Sequence, residues 1–219
     1  MVKKIPAIEM RNILVRFEGK TILSGFNMTL PFGEKVVLTG DSGLGKSTLL
    51  RCTLGFVLPT EGEIFIHGQQ LLPESVWNLR KQIAYVPQEP DLGKGTLEEW
   101  FKAPFAYRAN AALKGNLRRL PTLMERLSLS KDLLRMDASA LSGGEKQRAA
   151  IIAALLLERN IFLLDEPTSA LDGKNTDTVI GLLSKASDAS ILAVSHDPRV
   201  LHMANQVITL SGKGGNHAR

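Results

Sequence analysis

The stretch Gly40-Asp41-Ser42-Gly43-Leu44-Gly45-Lys46-Ser47-Thr48 has the spacing G-x-x-x-x-G-K-[ST]. Each residue type there has a physical use. Glycines let the backbone turn its N–H groups inward around an anion. The apolar run Val36-Val37-Leu38 precedes the loop and a helix-compatible run follows it, so the loop opens onto the positive end of a helix. Lys46 would reach the β- and γ-phosphates of a nucleotide, and the Ser47 hydroxyl would ligate Mg²⁺. A plain glycine turn needs neither the lysine nor the serine. A nucleoside triphosphate with Mg²⁺ is therefore the expected ligand, and Gly40, Ser42, Gly43, Leu44, Gly45, Lys46, Ser47 and Thr48 are its expected contacts.

A second run, Ile161-Phe162-Leu163-Leu164-Asp165-Glu166, is an apolar strand ending in two acids. A parallel strand ends at the sheet edge where such a loop lies. Asp165 is the expected Mg²⁺ partner, with Ser47, and Glu166 the expected general base for water. Two acids could simply solvate a strand tip, but the loop makes hydrolysis at a γ-phosphate the better reading.

A third stretch, Leu141-Ser142-Gly143-Gly144-Glu145-Lys146-Gln147-Arg148, precedes the apolar run Ala149 to Leu157. Ser142-x-x-Glu145 is a capping box: the Ser142 hydroxyl accepts from the Glu145 N–H, and the Glu145 carboxylate accepts from the Ser142 N–H. The cap leaves Gly143 and Gly144 unexplained, although each glycine inside a helix costs about 1 kcal/mol against alanine. A phosphate approaching a bare helix end would explain them. The local pattern does not say whose phosphate.

The elements that must position these residues follow from apolar patterning. Strands are expected at Ile8–Phe17, Asn27–Leu30, Val36–Thr39 and Glu63–His67, with turns at Glu18-Gly19-Lys20 and His67-Gly68. A short strand is expected at Ile83–Val86, closed by Pro87. From about Glu98 to Arg135, apolar residues such as Trp100, Leu113, Leu117 and Leu123 recur at helical spacings, broken by Pro104 and Pro121. The basic residues of that segment read as a solvated face. Beyond it come a helix near Glu145–Glu158, strand Ile161–Leu164, a helix near Lys174–Lys185, strand Ile191–Val194 and a last strand Val207–Leu210. Apolar strands separated by helices imply a mainly parallel sheet covered on both faces.

Composition narrows the class without choosing a partner. The chain has 219 residues, 44% hydrophobic and 22% charged, with a net charge of +5. That suits one domain with a subdomain, and the mild basic excess admits anionic partners without selecting one. The single cysteine, Cys52, cannot form an internal disulfide, so a reducing compartment and a buried packing role are expected. MVKKIPAIEM lacks the apolar core of a secretory signal. Ala149 to Leu157 is far short of the ~20 apolar residues of a membrane span.

Taken together, the phosphate loop, LSGGEKQR and LLDEPTSALD resemble the ATP-binding-cassette (ABC) family, from about Ile8 to Leu210. The LSGGxxxR signature is much more specific for that family than the loop. The resemblance implies an α/β fold: a P-loop ATPase core with a mainly parallel sheet, an N-terminal antiparallel β subdomain and an inserted helical subdomain. About 1–88 and 141–219 would form the core and β subdomain, and about 89–140 the helical subdomain. Phe17 lies where the family places an aromatic ring on adenine; phenylalanine keeps the π-face of the commoner tyrosine. Gln88 matches the glutamine loop, reaching Mg²⁺ or the attacking water. Asp172, in Ser169-Ala170-Leu171-Asp172, matches the loop that contacts a partner subunit. His196 matches the switch histidine beside the γ-phosphate and Glu166.

For Ser142, Gly143 and Gly144 the resemblance assigns the phosphate to the opposite subunit. It implies a homodimer or paired cassettes that close on ATP, separate transmembrane subunits, no nucleic acid, and a cytoplasmic place on the inner face of the cell membrane. The segment Glu89 to Leu97 is less apolar than in many transporter subunits, which leaves the membrane partner open. The short chain and compact helical region are similar to ATPases of small exporters, including metal or iron exporters. The alternative is a soluble, non-transport ABC ATPase of the iron–sulfur-assembly or cell-division type. A nucleotide-binding regulator without turnover would have no use for both Glu166 and His196.

Overall fold

Ile8–Phe17 (β1) and Lys20–Leu30 (β2) form an antiparallel hairpin around Glu18-Gly19. The computed structural model that shows this describes residues 5–186, 189–211 and 216–218. β2 begins at Lys20 rather than Asn27. Its first half pairs with β1 through shifted registers, Leu23 opposite Val15 and Thr21 opposite Arg16. Such irregularities interrupt the alternation by which a strand is recognised in sequence.

Lys35–Thr39 (β3) carries Val36-Val37-Leu38, all fully buried, as a strand without a polar face requires. Glu61–Ile66 (β4) and Gln69–Gln70 (β5) complete an antiparallel sheet ordered β2-β1-β4-β5. The second sheet adds Ile83–Val86 (β6), Ile161–Asp165 (β7), Ser190–Val194 (β8), Gln206–Leu210 (β9) and Asn216–Ala218 (β10). Its order is β10-β9-β3-β8-β7-β6, and every pair from β9 to β6 is parallel. β10 runs antiparallel to β9, beyond the last strand expected from the sequence.

Alternate residues of the parallel strands enter different cores. Val36, Leu38 and Leu163 pack with the antiparallel sheet and with Lys46–Thr53 (α1), whereas Val37, Phe162 and Leu164 pack on the other face. Cys52 on α1 is buried in the first core, which pushes its thiol up to about 12 and leaves it a packing group.

Val76–Arg80 (α2) is a short helix that no strong apolar period announces. The segment between β6 and β7 contains Leu97–Lys102 (α3), Leu120–Arg126 (α4) and Gly143–Leu156 (α5), joined largely by 3₁₀ turns. Leu113 and Leu117 therefore sit on a 3₁₀ stretch, Arg108–Arg119, rather than an α-helix. Two asparagines in it bond main-chain carbonyls instead of solvent: Asn110 that of Pro104 (2.8 Å) and Asn116 that of Leu156 (2.9 Å). Pro121 opens α4 rather than breaking a helix, the position where its missing N–H costs nothing. Gly173–Ser184 (α6) and Pro198–His202 (α7) complete the fold. Among the described residues no helix is long and apolar enough to cross a membrane.

The segment between β6 and α5 has no separate core. Phe101, fully buried on α3, shares one cluster with Met124 of α4, Ile152 of α5 and Leu164 of β7. Phe101→Ala should cost about 3–5 kcal/mol of unfolding free energy, read by urea titration. A cost below about 1 kcal/mol would mean that the segment closes over the void and is not packed as described.

Candidate functional site

Parallel strands deliver their carboxyl ends to one edge, and four of them carry the residues singled out above. β3 ends at Thr39 and feeds the phosphate loop. Its neighbour β8 ends at Val194, two residues before His196, and the next strand, β7, ends at Asp165. β6, beside β7, ends at Val86, two residues before Gln88. Sheet order alone thus gathers groups distant in the chain.

An open cavity of about 560 Å³ lies at this edge. The loop lines it with Ser42, Gly43 and the run Gly45 to Thr48, and Gln88, Glu166 and His196 come from the other strand ends. Phe17, at the end of β1, also lines it and keeps 49% of its surface exposed. Gly40, Leu44 and Asp165 are not among the residues that line it. Ile22 and Val194 line it too, although the sequence reading assigns neither to the site, and Ser169 joins them from the loop that ends at Asp172. Ile22 belongs to β2, and only folding lays its methyl group beside Gly45.

The loop is held from behind. Gly40 has φ 128°, and a Cβ there would lie 2.4 Å from the Leu210 carbonyl oxygen at the end of β9, so a side chain is excluded. Lys46 is buried, and its Nζ donates to the carbonyls of Gly40 (2.6 Å) and Asp41 (2.7 Å) of its own loop. Ser47 Oγ donates to Asp165 Oδ1 at 2.9 Å, tying α1 to β7. Asp165 is only 4% exposed, and burial raises its pKa against the opposing pull of Ser47, Arg51 and Lys46.

Glu166 is not a continuation of β7. Its φ is 45°, a left-handed conformation that costs a non-glycine residue, and its N–H donates to the Val194 carbonyl at 2.9 Å. The turn carries the carboxylate to the cavity instead of leaving it at a solvated strand tip. Strain of this kind concentrates at functional positions. Burial raises the Glu166 pKa, while the nearby His196 opposes the rise; His196 Nε2 stands 3.7 Å from Glu166 Oε1.

Ser142 caps α5 as its spacing foretells. Its N–H (2.8 Å) and its hydroxyl (2.7 Å) both donate to Glu145 Oε2, and its Oγ accepts from the Glu145 N–H (3.3 Å). These bonds hold the Glu145 carboxyl below the usual carboxylate range. The two glycines have different reasons. A Cβ on Gly144 would meet the Ala170 carbonyl oxygen at 2.8 Å, so this glycine is required by the chain's own packing. A Cβ on Gly143 would find only the Ala170 methyl, at an ordinary 3.9 Å. Neither these glycines nor Ser142 lines the first cavity. Gly143 and Lys146 instead border a second opening of about 550 Å³, together with Gln88 and Asp91. Asp172 caps α6, accepting from the Asn175 N–H (2.8 Å), and also lies outside the first cavity.

The raised pKa of Glu166 has a thermodynamic sign. Between its unfolded and folded pKa the folded protein holds a proton that the unfolded chain has released. The associated stability is full below the unfolded pKa and is lost as pH rises through the folded one. Glu166→Gln should therefore melt above the wild type near pH 8 without nucleotide, with the gain shrinking toward about pH 4.5. An equal or lower melting temperature at pH 8, read by differential scanning fluorimetry, would contradict the burial argument.

Similarity to known proteins meets this geometry. A family model described as ABC transporter matches residues 23–169. The chain is 31% identical over 222 residues to a probable iron export ATP-binding protein, FetA, of Escherichia coli (strain K12), covering 98% of this chain and 96% of that one. A solved structure described as the ATP binding subunit of an ABC transporter superposes with a TM-score of 0.85 at 27% identity, over 96% of this chain and 89% of that one. A dimeric ATP-binding cassette in a post-hydrolysis state, bound to ADP and Pi, gives a TM-score of 0.82 at 27% identity, over 96% and 97% of the two chains. With a family model over residues 23–169 and a relative matched along nearly its whole length, the chain belongs to the ABC transporter family, as one of its ATP-binding cassettes.

Proposed function

We propose that the chain is the motor subunit of a transporter, hydrolysing ATP at sites shared by two cassettes and driving separate membrane subunits. One observation carries the pairing: Ser142, Gly143 and Gly144 border no part of the cavity lined by Lys46, Glu166 and His196. In this reading each ATP lies between the loop of one chain and the α5 start of another. Asp172 and its loop belong to the same contact, and Phe17 offers the face for adenine.

The residues fit Mg²⁺. Ser47 Oγ and Asp165 Oδ1, 2.9 Å apart, are two hard oxygen donors, and no cluster of three His, Cys, Asp or Glu able to hold a metal occurs among the described residues. A site with few protein ligands suits an ion that keeps waters and shares phosphate oxygens, with Gln88 as a further oxygen donor. When bound, Mg²⁺ would neutralise charge on the β- and γ-phosphates. Lys46, now turned onto its own loop carbonyls, has an ammonium group to offer an anion that displaces them. Glu166 would accept a proton from water, with His196 orienting the carboxylate and the γ-phosphate.

Residues 89–140 are proposed as the helical subdomain facing the membrane subunits, with 1–88 and 141–219 as core and β subdomain. The protein would work at the cytoplasmic face of the membrane and without nucleic acid. Coupling is by population shift: ATP favours the closed pair because it touches both chains only there. The match to a protein named for iron export favours transport over iron–sulfur assembly or cell division.

Two substitutions test this reading. Glu166→Gln should bind ATP with near-normal affinity while turnover falls about 100-fold or more, the scale of a lost general base; wild-type turnover would remove Glu166 from that role. Gly143→Asp should leave ATP binding by the monomer nearly intact and abolish ATP-driven dimerisation in sedimentation velocity. A mutant that still pairs with ATP contradicts the shared site.

A further inference from the structure

Arg199 lies outside the cavity, yet it ties together two of the loops that serve it. Asp197, next in the chain to His196, caps α7 by accepting from the Arg199 N–H at 2.9 Å. The Arg199 side chain returns to the same carboxylate with two prongs, Nε to Oδ1 at 3.0 Å and Nη2 to Oδ2 at 2.8 Å. Its remaining nitrogen, Nη1, donates to the Gly173 carbonyl at 3.2 Å and to Asp177 Oδ1 at 3.3 Å, both in the first turns of α6.

The chain between Glu166 and α6 is thus held at both ends by the segment that follows β8. At one end the Thr168 hydroxyl donates to Asp197 Oδ2, at a long 3.4 Å. At the other, Arg199 holds Gly173. Between them lies Ala170, whose carbonyl oxygen packs against Gly144 at the start of α5. Asp177 is 69% exposed, so solvent screens that contact. The paired Asp197 side chain is only 17% exposed, and a two-pronged guanidinium–carboxylate bond fixes orientation as well as distance.

We propose that Arg199 is a positioning residue for hydrolysis: it clips the loop carrying His196 to the loop Ser169–Asp172, so that pairing of two cassettes sets the place of the histidine. The proposal rests on the roles given above to His196 and to the Asp172 loop. Arg199 does not line the cavity, so its loss should leave nucleotide affinity alone and lower the fraction of bound ATP that is hydrolysed.

The test is a full ATP titration of turnover by the whole chain carrying Arg199→Ala, Arg199→Lys or His196→Ala, well below each melting temperature. Arg199→Ala should keep KM within about twofold while kcat falls about tenfold, a cost consistent with a displaced catalytic group. Its Hill coefficient for ATP should fall toward one, which a merely structural arginine would not cause. Lysine keeps the charge without the fork, so Arg199→Lys should recover only part of kcat; it carries the test if the alanine variant does not fold. Unchanged kcat and cooperativity in Arg199→Ala, or a lysine variant equal to wild type, would overturn the clip. Wild-type turnover in His196→Ala would instead remove the role of His196.

Discussion

The hydrogen bond from Ser47 Oγ to Asp165 Oδ1 joins residues 118 positions apart, and much of the architecture exists to make it possible. Ser47 is fixed by α1, which follows the loop after β3, and Asp165 by the end of β7. These strands are not neighbours; β8 lies between them. The bond therefore depends on two parallel registers, Val36 opposite Leu192 and Leu163 opposite Leu192. Those registers persist because both faces of the strands are buried, so a slip of one residue would exchange the side chains of two different cores.

The same edge concentrates features that cost stability. Asp165 and Glu166 are acids whose burial disfavours their ionised forms, and Glu166 holds a left-handed backbone. Lys46 satisfies its buried ammonium with carbonyls of its own loop. A fold selected for stability alone would have little use for these choices together, whereas a site that must bind a polyanion and activate water has use for each. Gly144 adds a steric constraint: without a Cβ it lets the start of α5 and the Asp172 loop approach at the Ala170 carbonyl.

What the sequence made legible was local. The phosphate loop, the acid pair after β7 and the Ser142–Glu145 capping box are written in consecutive residues, and the structure contains them in place. The parallel sheet was readable because strands such as Val36-Val37-Leu38 have no polar face. What escaped depends on distant partners. The first half of β2 is fixed by its pairing with β1, and Ile22 reaches the cavity only through that hairpin. The stretch Arg108–Arg119 has a helical apolar spacing, yet asparagine-to-carbonyl bonds accompany a 3₁₀ path. Gly144 has a steric reason in the Ala170 carbonyl beside it that no local spacing shows, and the three partners of Arg199 come together only in the fold.

Sharing of each ATP between two chains is tested most directly by mixing two inactive variants. Lys46→Ala damages the phosphate loop and spares the start of α5; Gly143→Asp damages the start of α5 and spares the loop. A mixed pair then holds one intact composite site, made from the loop of the Gly143→Asp chain and the α5 start of the Lys46→Ala chain. The prediction is ATP turnover in the mixture that neither variant shows alone, rising and falling with the fraction of mixed pairs. Turnover no greater than the average of the two separate variants, under conditions where mixed pairs form, would contradict it.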